Sequence, residues 1–141
     1  MSEPVARAAH AWAGMRTLVH DLHDRRKEVS AALDLSFFRV KVLRRLSGGP
    51  LTMRELGAKL STDAPYVTLM VRDLEERGLV SRTAHPTDRR AKVVTLTEQG
   101  REIADQAEQI LIEPPDALLA LDPDDIAALD RIVATLLNKS T

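Results

Sequence analysis

The sequence predicts a mainly α-helical chain with one small β-ribbon inserted in it. Three observations carry that expectation. Apolar side chains recur at helical spacing through most of the 141 residues. The period drops to two only in LVSRTA and AKVVTL, two short β-branched runs on either side of HPTDRR. Finally, Ser36, Thr52, Asp63, Thr97 and Asp122 each stand where a helix would need a cap.

The elements follow in order. Residues 5–33 place Val5, Ala8, Trp12, Met15, Val19, Leu22, Val29 and Leu33 at spacings of three, four and seven, which predicts one long amphipathic helix. Arg25, Arg26 and Lys27 interrupt its stripe, toward an exposed end. A helix that long outruns a small core and favours a partner subunit over wrapping its own domain. Ser36 caps a second helix over 37–47, with Phe37, Val40, Leu43 and Leu46 inward, and Gly48-Gly49-Pro50 ends it. Thr52 and Glu55 then form a capping-box pattern, with Leu51 and Leu56 as its hydrophobic staple. That short helix reaches about Leu60. Ser61-Thr62-Asp63 turns the chain and caps the next helix, 64–77, with Pro65 in its first turn and Gly78 as a left-handed stop. Val67, Met70, Val71 and Leu74 form its inner face. After the ribbon, Thr97 caps a helix of about 98–112, and Pro114-Pro115 ends it. Asp122-Pro123-Asp124-Asp125 opens the last helix, whose Ile126, Leu129, Ile132, Val133, Leu136 and Leu137 make a broad apolar face.

Composition narrows the function. Net charge is −1, yet residues 39–92 carry +6 and residues 93–141 carry −7. A basic middle with an acidic tail suits a polyanion on one face, although uneven surface charge alone would read the same way. Cysteine is absent, which excludes disulfides, thiolate metal sites and thiol-based redox sensing. There is no long apolar run for a membrane span, and MSEPVARAAH lacks the apolar stretch of a signal peptide, so a cytoplasmic protein is expected. No Gly-rich phosphate loop, nucleophile elbow or catalytic metal-ligand pair is present, so an enzyme is not expected, nor a cofactor. His20-Asp21-Leu22-His23-Asp24 is the one metal-like cluster, and it reads better as an ordinary polar helix face.

Two helices joined by a tight turn and followed by a ribbon describe a winged helix-turn-helix. The architecture suits duplex DNA: one helix enters the major groove, and arginines at the ribbon tip reach the neighbouring minor groove. A winged helix used for protein contact is the competing expectation.

LTMRELGAKL, YVTLMVRDLEERGLVSR and HPTDRRAKVVTLTEQG together resemble the winged helix-turn-helix of the MarR family, the multiple-antibiotic-resistance-type transcriptional regulators. The resemblance covers residues 35–103, and the two ends in pattern only. Its most specific piece is Asp88-Arg89-Arg90 followed by Val94-Thr95-Leu96-Thr97 and Gly100. It implies a single domain over 1–141. Within it, 35–97 is the DNA-binding part, while 1–34 and 98–141 are helical dimerisation parts. It implies a homodimer on a pseudo-palindromic operator in double-stranded DNA, usually as a repressor, often loosened by a small-molecule effector. It also implies that Arg90 enters the minor groove, oriented by Asp88.

Candidate DNA contacts are therefore Arg54, Ala64, Pro65, Tyr66, Thr68, Leu69, Arg72, Arg82, Asp88, Arg89, Arg90 and Lys92. Tyr66, Thr68 and Arg72 are the expected polar readers. Ala64 or Leu69 would touch thymine methyls, with local packing the alternative for Leu69. Arg54, Arg72, Arg82 and Lys92 are phosphate clamps, surface charges or members of internal ion pairs. Leu69 stands where the family commonly has a polar residue, Ala64-Pro65-Tyr66 is less polar than usual, and Pro114-Pro115 shortens the helix after the ribbon. Trp12, Met15, Phe37 and Phe38 are candidates for an effector pocket, with core packing their default.

Overall fold

A computed structural model of the chain describes residues 2–140. The elements run α1 (Glu3–Arg16), a π-helical stretch (Thr17–Leu22), α2 (Arg25–Leu33), α3 (Phe37–Leu46), β1 (Leu51–Thr52), α4 (Met53–Leu60), α5 (Ala64–Glu76), β2 (Val80–Ala84), β3 (Lys92–Leu96), α6 (Glu98–Ile112), α7 (Asp116–Leu119) and α8 (Pro123–Ser140). This is a mainly helical winged helix with a small antiparallel sheet.

The single helix expected over 5–33 is two helices with a break between them. After Arg16 the winding loosens, and His23 closes it by donating its N–H to Leu18 O at 2.9 Å. His23 then leaves helical geometry at φ −131° and ψ 53°. Asp24 restarts the helix as a cap, accepting the Arg26 N–H at 3.0 Å. The same carboxylate holds the Arg26 guanidinium through bonds of 2.9 and 3.2 Å, and that pairing lowers its pKa. Arg25 donates twice to Glu113 O, at 3.2 and 3.1 Å, tying the start of α2 to the residue that ends α6. The arginines expected at an exposed helix end thus anchor a junction.

The other caps form as the sequence predicts. Ser36 accepts the Arg39 N–H at 3.3 Å, Asp63 the Tyr66 N–H at 2.9 Å, and Thr97 the Gly100 N–H at 3.0 Å. The Thr52–Glu55 box closes in both directions, at 3.0 and 3.1 Å. Thr52's bonds to the Glu55 carboxylate, the backbone one foremost, hold it below its ordinary pKa. Gly78 takes the left-handed conformation at φ 76°, and so do Asp34 and Ser61 at φ 51° and 52°. Gly100 is required by space rather than dihedral: a Cβ there would collide with the Leu79 carbonyl, on which the first turn of α6 rests.

The sheet has three strands where the sequence suggests two, in the order β1-β3-β2. Leu51 and Thr52 pair with Val94 and Val93 on the far side of β3 from β2. This two-residue strand is hidden in the sequence inside the start signal of α4. The ribbon runs from Val80↔Leu96 to Ala84↔Lys92.

One core lies where α3, α4, α5, α6 and the sheet meet. Val40, Leu43, Leu46, Leu56, Met70, Leu74 and Val94 are fully enclosed there. Val29 of α2 and Ala104 and Ala107 of α6 belong to the same core, so it reaches beyond residues 35–97 on both sides. Met1 and Thr141 of the 1–141 span lie outside the described residues. α1 and α8 stand apart: neither contains a buried residue or makes more than marginal contact with other elements, apart from the π stretch that continues α1. No helix of the described residues is long and apolar enough to cross a membrane.

Candidate nucleic-acid interface

α5 presents two faces. Val67, Met70, Val71 and Leu74 are buried, which fixes the helix by its inner side. Pro65, Leu69 and Arg72 lie along the opposite side at helical spacing and are exposed. Leu69 is 55% exposed, so local packing does not account for it. Thr68 is half-buried, and its hydroxyl donates to Ala64 O at 2.9 Å, leaving only its acceptor lone pairs free. Ala64 lines a groove of about 470 Å³ with Arg54 of α4 and the Ser61-Thr62-Asp63 turn. The fold thus brings Arg54 beside the start of α5.

Tyr66 is held from behind. Its ring meets Phe38 of α3 edge to face, with centroids 5.6 Å apart. The Lys41 ammonium sits over the same Phe38 ring at 5.1 Å from the centroid. Phe38 therefore supports a candidate reader, and Lys41 joins the set as a cation that sequence reasoning missed. The i, i+3 spacing of Phe38 and Lys41 was available, but nothing local indicated Tyr66 as their neighbour.

At the ribbon tip, Arg89 and Arg90 are exposed, as is Lys92 at the start of β3. Among the described residues none of these three is paired with a carboxylate, nor are Arg54 and Arg72. Asp88 does not grip a guanidinium. Its Oδ1 accepts the Arg90 backbone N–H at 3.0 Å, so it shapes the turn from which Arg90 projects. Arg82 is a member of an ion pair, 3.2 Å from Glu75, and ties the ribbon to α5. Arg39 of α3 reaches Asp73 of α5 at 2.7 Å and ties the two helices, and Arg77 at the end of α5 joins the same carboxylate at 3.1 Å.

The four residues named for an effector pocket are not brought together. Trp12 is 62% exposed on α1 and Met15 half-buried. Phe37 packs on the core edge, and Phe38 faces Tyr66. A mostly apolar cavity of about 600 Å³ lies elsewhere, walled by Leu18, Val19, Leu111, Pro115, Leu118 and Leu129, with His23 and Arg25 in its lining. His20 sits in the π stretch and Asp24 is committed to Arg26. Among the described residues no group of three His, Cys, Asp or Glu is placed to hold a metal ion.

Residues 39–92 match the MarR family. The organic hydroperoxide resistance transcriptional regulator of Bacillus subtilis (strain 168) is 30% identical over 90 residues, which cover 62% of this chain and 58% of the regulator. A mutant of the MarR protein of E. coli, solved complexed with operator DNA, is 26% identical over 96% of this chain and 94% of its own, with a TM-score of 0.61. Over its winged helix-turn-helix, then, the chain is similar to the MarR family. A further MarR family protein, from Bacillus stearothermophilus, shares the fold over 99% of this chain and 98% of its own at 22% identity, with a TM-score of 0.81. The chain spans about half the length of the curated relatives it matches. The matched segment begins within α3 and ends at Lys92, so it takes in α4, α5 and the ribbon tip but nothing of α1, α6 or α8.

Proposed function

We propose that this chain is a DNA-binding transcriptional regulator that reads duplex DNA with α5 and clamps it with the ribbon. The observation that carries the reading is the exposed Pro65–Leu69–Arg72 face of α5, on a winged helix whose tip offers unpaired Arg89 and Arg90. Arg54, Lys41, Ala64, Tyr66, Thr68 and Lys92 complete the contact set, with Arg54, Arg72 and Lys92 as phosphate contacts, while Asp88 shapes the turn that presents Arg90. Arg82 acts through Glu75 instead, as a brace between wing and reader. The complex of the E. coli relative with operator DNA supports the reading.

The regulator works as a homodimer on an inverted repeat, with α1 and α8 forming the joint. Their uncovered apolar side chains, Trp12, Leu129, Ile132 and Leu136 among them, favour that arrangement. Repression in the cytoplasm, relieved by a small molecule, is the family habit carried here. The 600 Å³ cavity has the size of a ligand site and replaces the aromatic set as the place to look. With no cysteine in the chain, any such response does not run through thiol oxidation.

The test is fluorescence anisotropy with a duplex selected by the protein from a random pool. Binding should weaken steeply with salt, because several phosphates are neutralised. Arg90→Ala should cost about 1–3 kcal/mol of binding free energy. Failure to bind any duplex would leave the protein-contact reading of the winged helix. Unchanged affinity in Arg90→Ala would remove the wing from the interface.

A further inference from the structure

The turn that carries Arg89 and Arg90 is organised by the side chain of His85. His85 follows directly on β2. Its Nδ1 accepts the Thr87 N–H at 3.2 Å and the Asp88 N–H at 3.1 Å, and the Thr87 hydroxyl lies 3.3 Å from the same atom. The His85 N–H donates to Ala91 O at 3.1 Å and closes the ribbon. Asp88 then takes the Arg90 N–H on its carboxylate at 3.0 Å and the Ala91 N–H on its carbonyl at 3.1 Å. The two arginines hang on a loop whose first tie is the imidazole.

Backbone N–H groups only donate. An Nδ1 that accepts from two of them carries a lone pair, which puts the ring proton on Nε2. The imidazole does here what an Asn or Asp side chain does in an Asx turn. It differs in one respect: on taking a second proton it loses its acceptor, and Nδ1–H then points at two other donors. Glu55 in the first turn of α4 faces the ring electrostatically, with Lys59 behind it on the same helix. Within the ribbon, Asp88, Arg89, Arg90 and Lys92 are the charges around it. Both carboxylates are already engaged, Glu55 by Thr52 and Asp88 by the Arg90 N–H.

We propose that His85 is a positioning residue. In its neutral form it holds the turn, and through the turn it holds Arg89 and Arg90 against DNA. Protonation undoes the turn and loosens the wing. The proposal rests on the DNA-binding reading above, and the experiment separates the two.

The full chain, labelled with ¹⁵N, is titrated from pH 8 to pH 5.5 as wild type, His85→Asn and His85→Ala. The amide resonances of Thr87 and Asp88 are followed, and each protein is also titrated onto the selected duplex at both ends of the range. In the wild type the two amides should move with the imidazole, and affinity should fall about three- to tenfold, the worth of one net hydrogen bond. His85→Asn, which keeps an acceptor that does not titrate there, should bind as wild type at pH 8 and stay flat. His85→Ala should be weak throughout. The contribution of His10, His20 and His23 cancels in the comparison with His85→Asn. Amides that ignore pH, wild-type affinity that rises on acidification, or His85→Ala binding as wild type would each overturn the proposal. Titrating amides in a protein that binds no duplex would support the turn assignment and overturn the DNA reading, and with it the wing's role.

Discussion

α3 and α8 are written in the same pattern and end in opposite situations. Both repeat apolar residues at helical spacing. Val40, Leu43 and Leu46 of α3 are sealed inside the winged core, where α4, α5, α6 and the sheet surround them. Leu129, Ile132, Val133 and Leu136 of α8 face outward, with Leu136 still 47% exposed. α1 resembles α8, with Val5, Trp12 and Val19 uncovered. Amphipathic spacing states that a helix has a face to bury; it does not state what buries it. The core finds its cover within one chain, and the terminal helices do not.

The strongest way to break this contrast is to open the core. Leu43→Ala should cost about 2–5 kcal/mol of unfolding free energy, read from urea titration, because the enclosed site cannot collapse around the missing atoms. A loss below 0.5 kcal/mol, on the order expected for an exposed surface site, would mean that α3 is less tightly held than its burial implies. The matching change on α8 is Ile132→Asp. It should leave hydrogen-exchange protection of α3 and α5 amides intact while raising the dimer dissociation constant about tenfold or more, since a carboxylate cannot be buried cheaply. Light scattering reads the mass. A monomeric wild type would remove the role given to the terminal helices, and a variant that lost core protection would show that α8 serves the core after all.

The same contrast explains what the sequence made legible. Caps at Ser36, Thr52, Asp63 and Thr97, the stop at Gly78 and the bounds of α6 depend on residues within four positions, and each is where the pattern puts it. β1 was missed because two residues have no period. The break at His23 was missed because the apolar stripe ran through it, although Asp24 was a usable cap. The α5 face could be read from spacing alone. The Arg82–Glu75 pair, the Phe38 support of Tyr66 and the scatter of Trp12, Met15, Phe37 and Phe38 could not, because each depends on how distant segments meet. His85 stood in the quoted wing motif, but its role follows from a turn geometry that charge counting ignores.

The smallest effect sits at the seam between the two regions. Asp24 begins α2, the first helix with a residue in the core, at the point where the arm ends. Its carboxyl is held below the ordinary value of 3.8, mainly by the Arg26 guanidinium and then by the Arg26 N–H, against an opposing desolvation. A carboxyl whose pKa is lower in the folded than in the unfolded chain binds fewer protons when folded. Its contribution is then complete above the unfolded value and disappears as pH falls through the folded one. Asp24→Asn should therefore unfold more easily than wild type at pH 7, and the two should converge as pH falls below 3.8. Urea titrations at matched protein concentration read the difference. Asparagine keeps a capping oxygen, so what is lost is the carboxylate charge facing Arg26 rather than the cap. Curves that stayed parallel down through the acid range would show that the ion pair does not hold the seam. The break after His23 would then be set by the chain geometry of the π stretch alone.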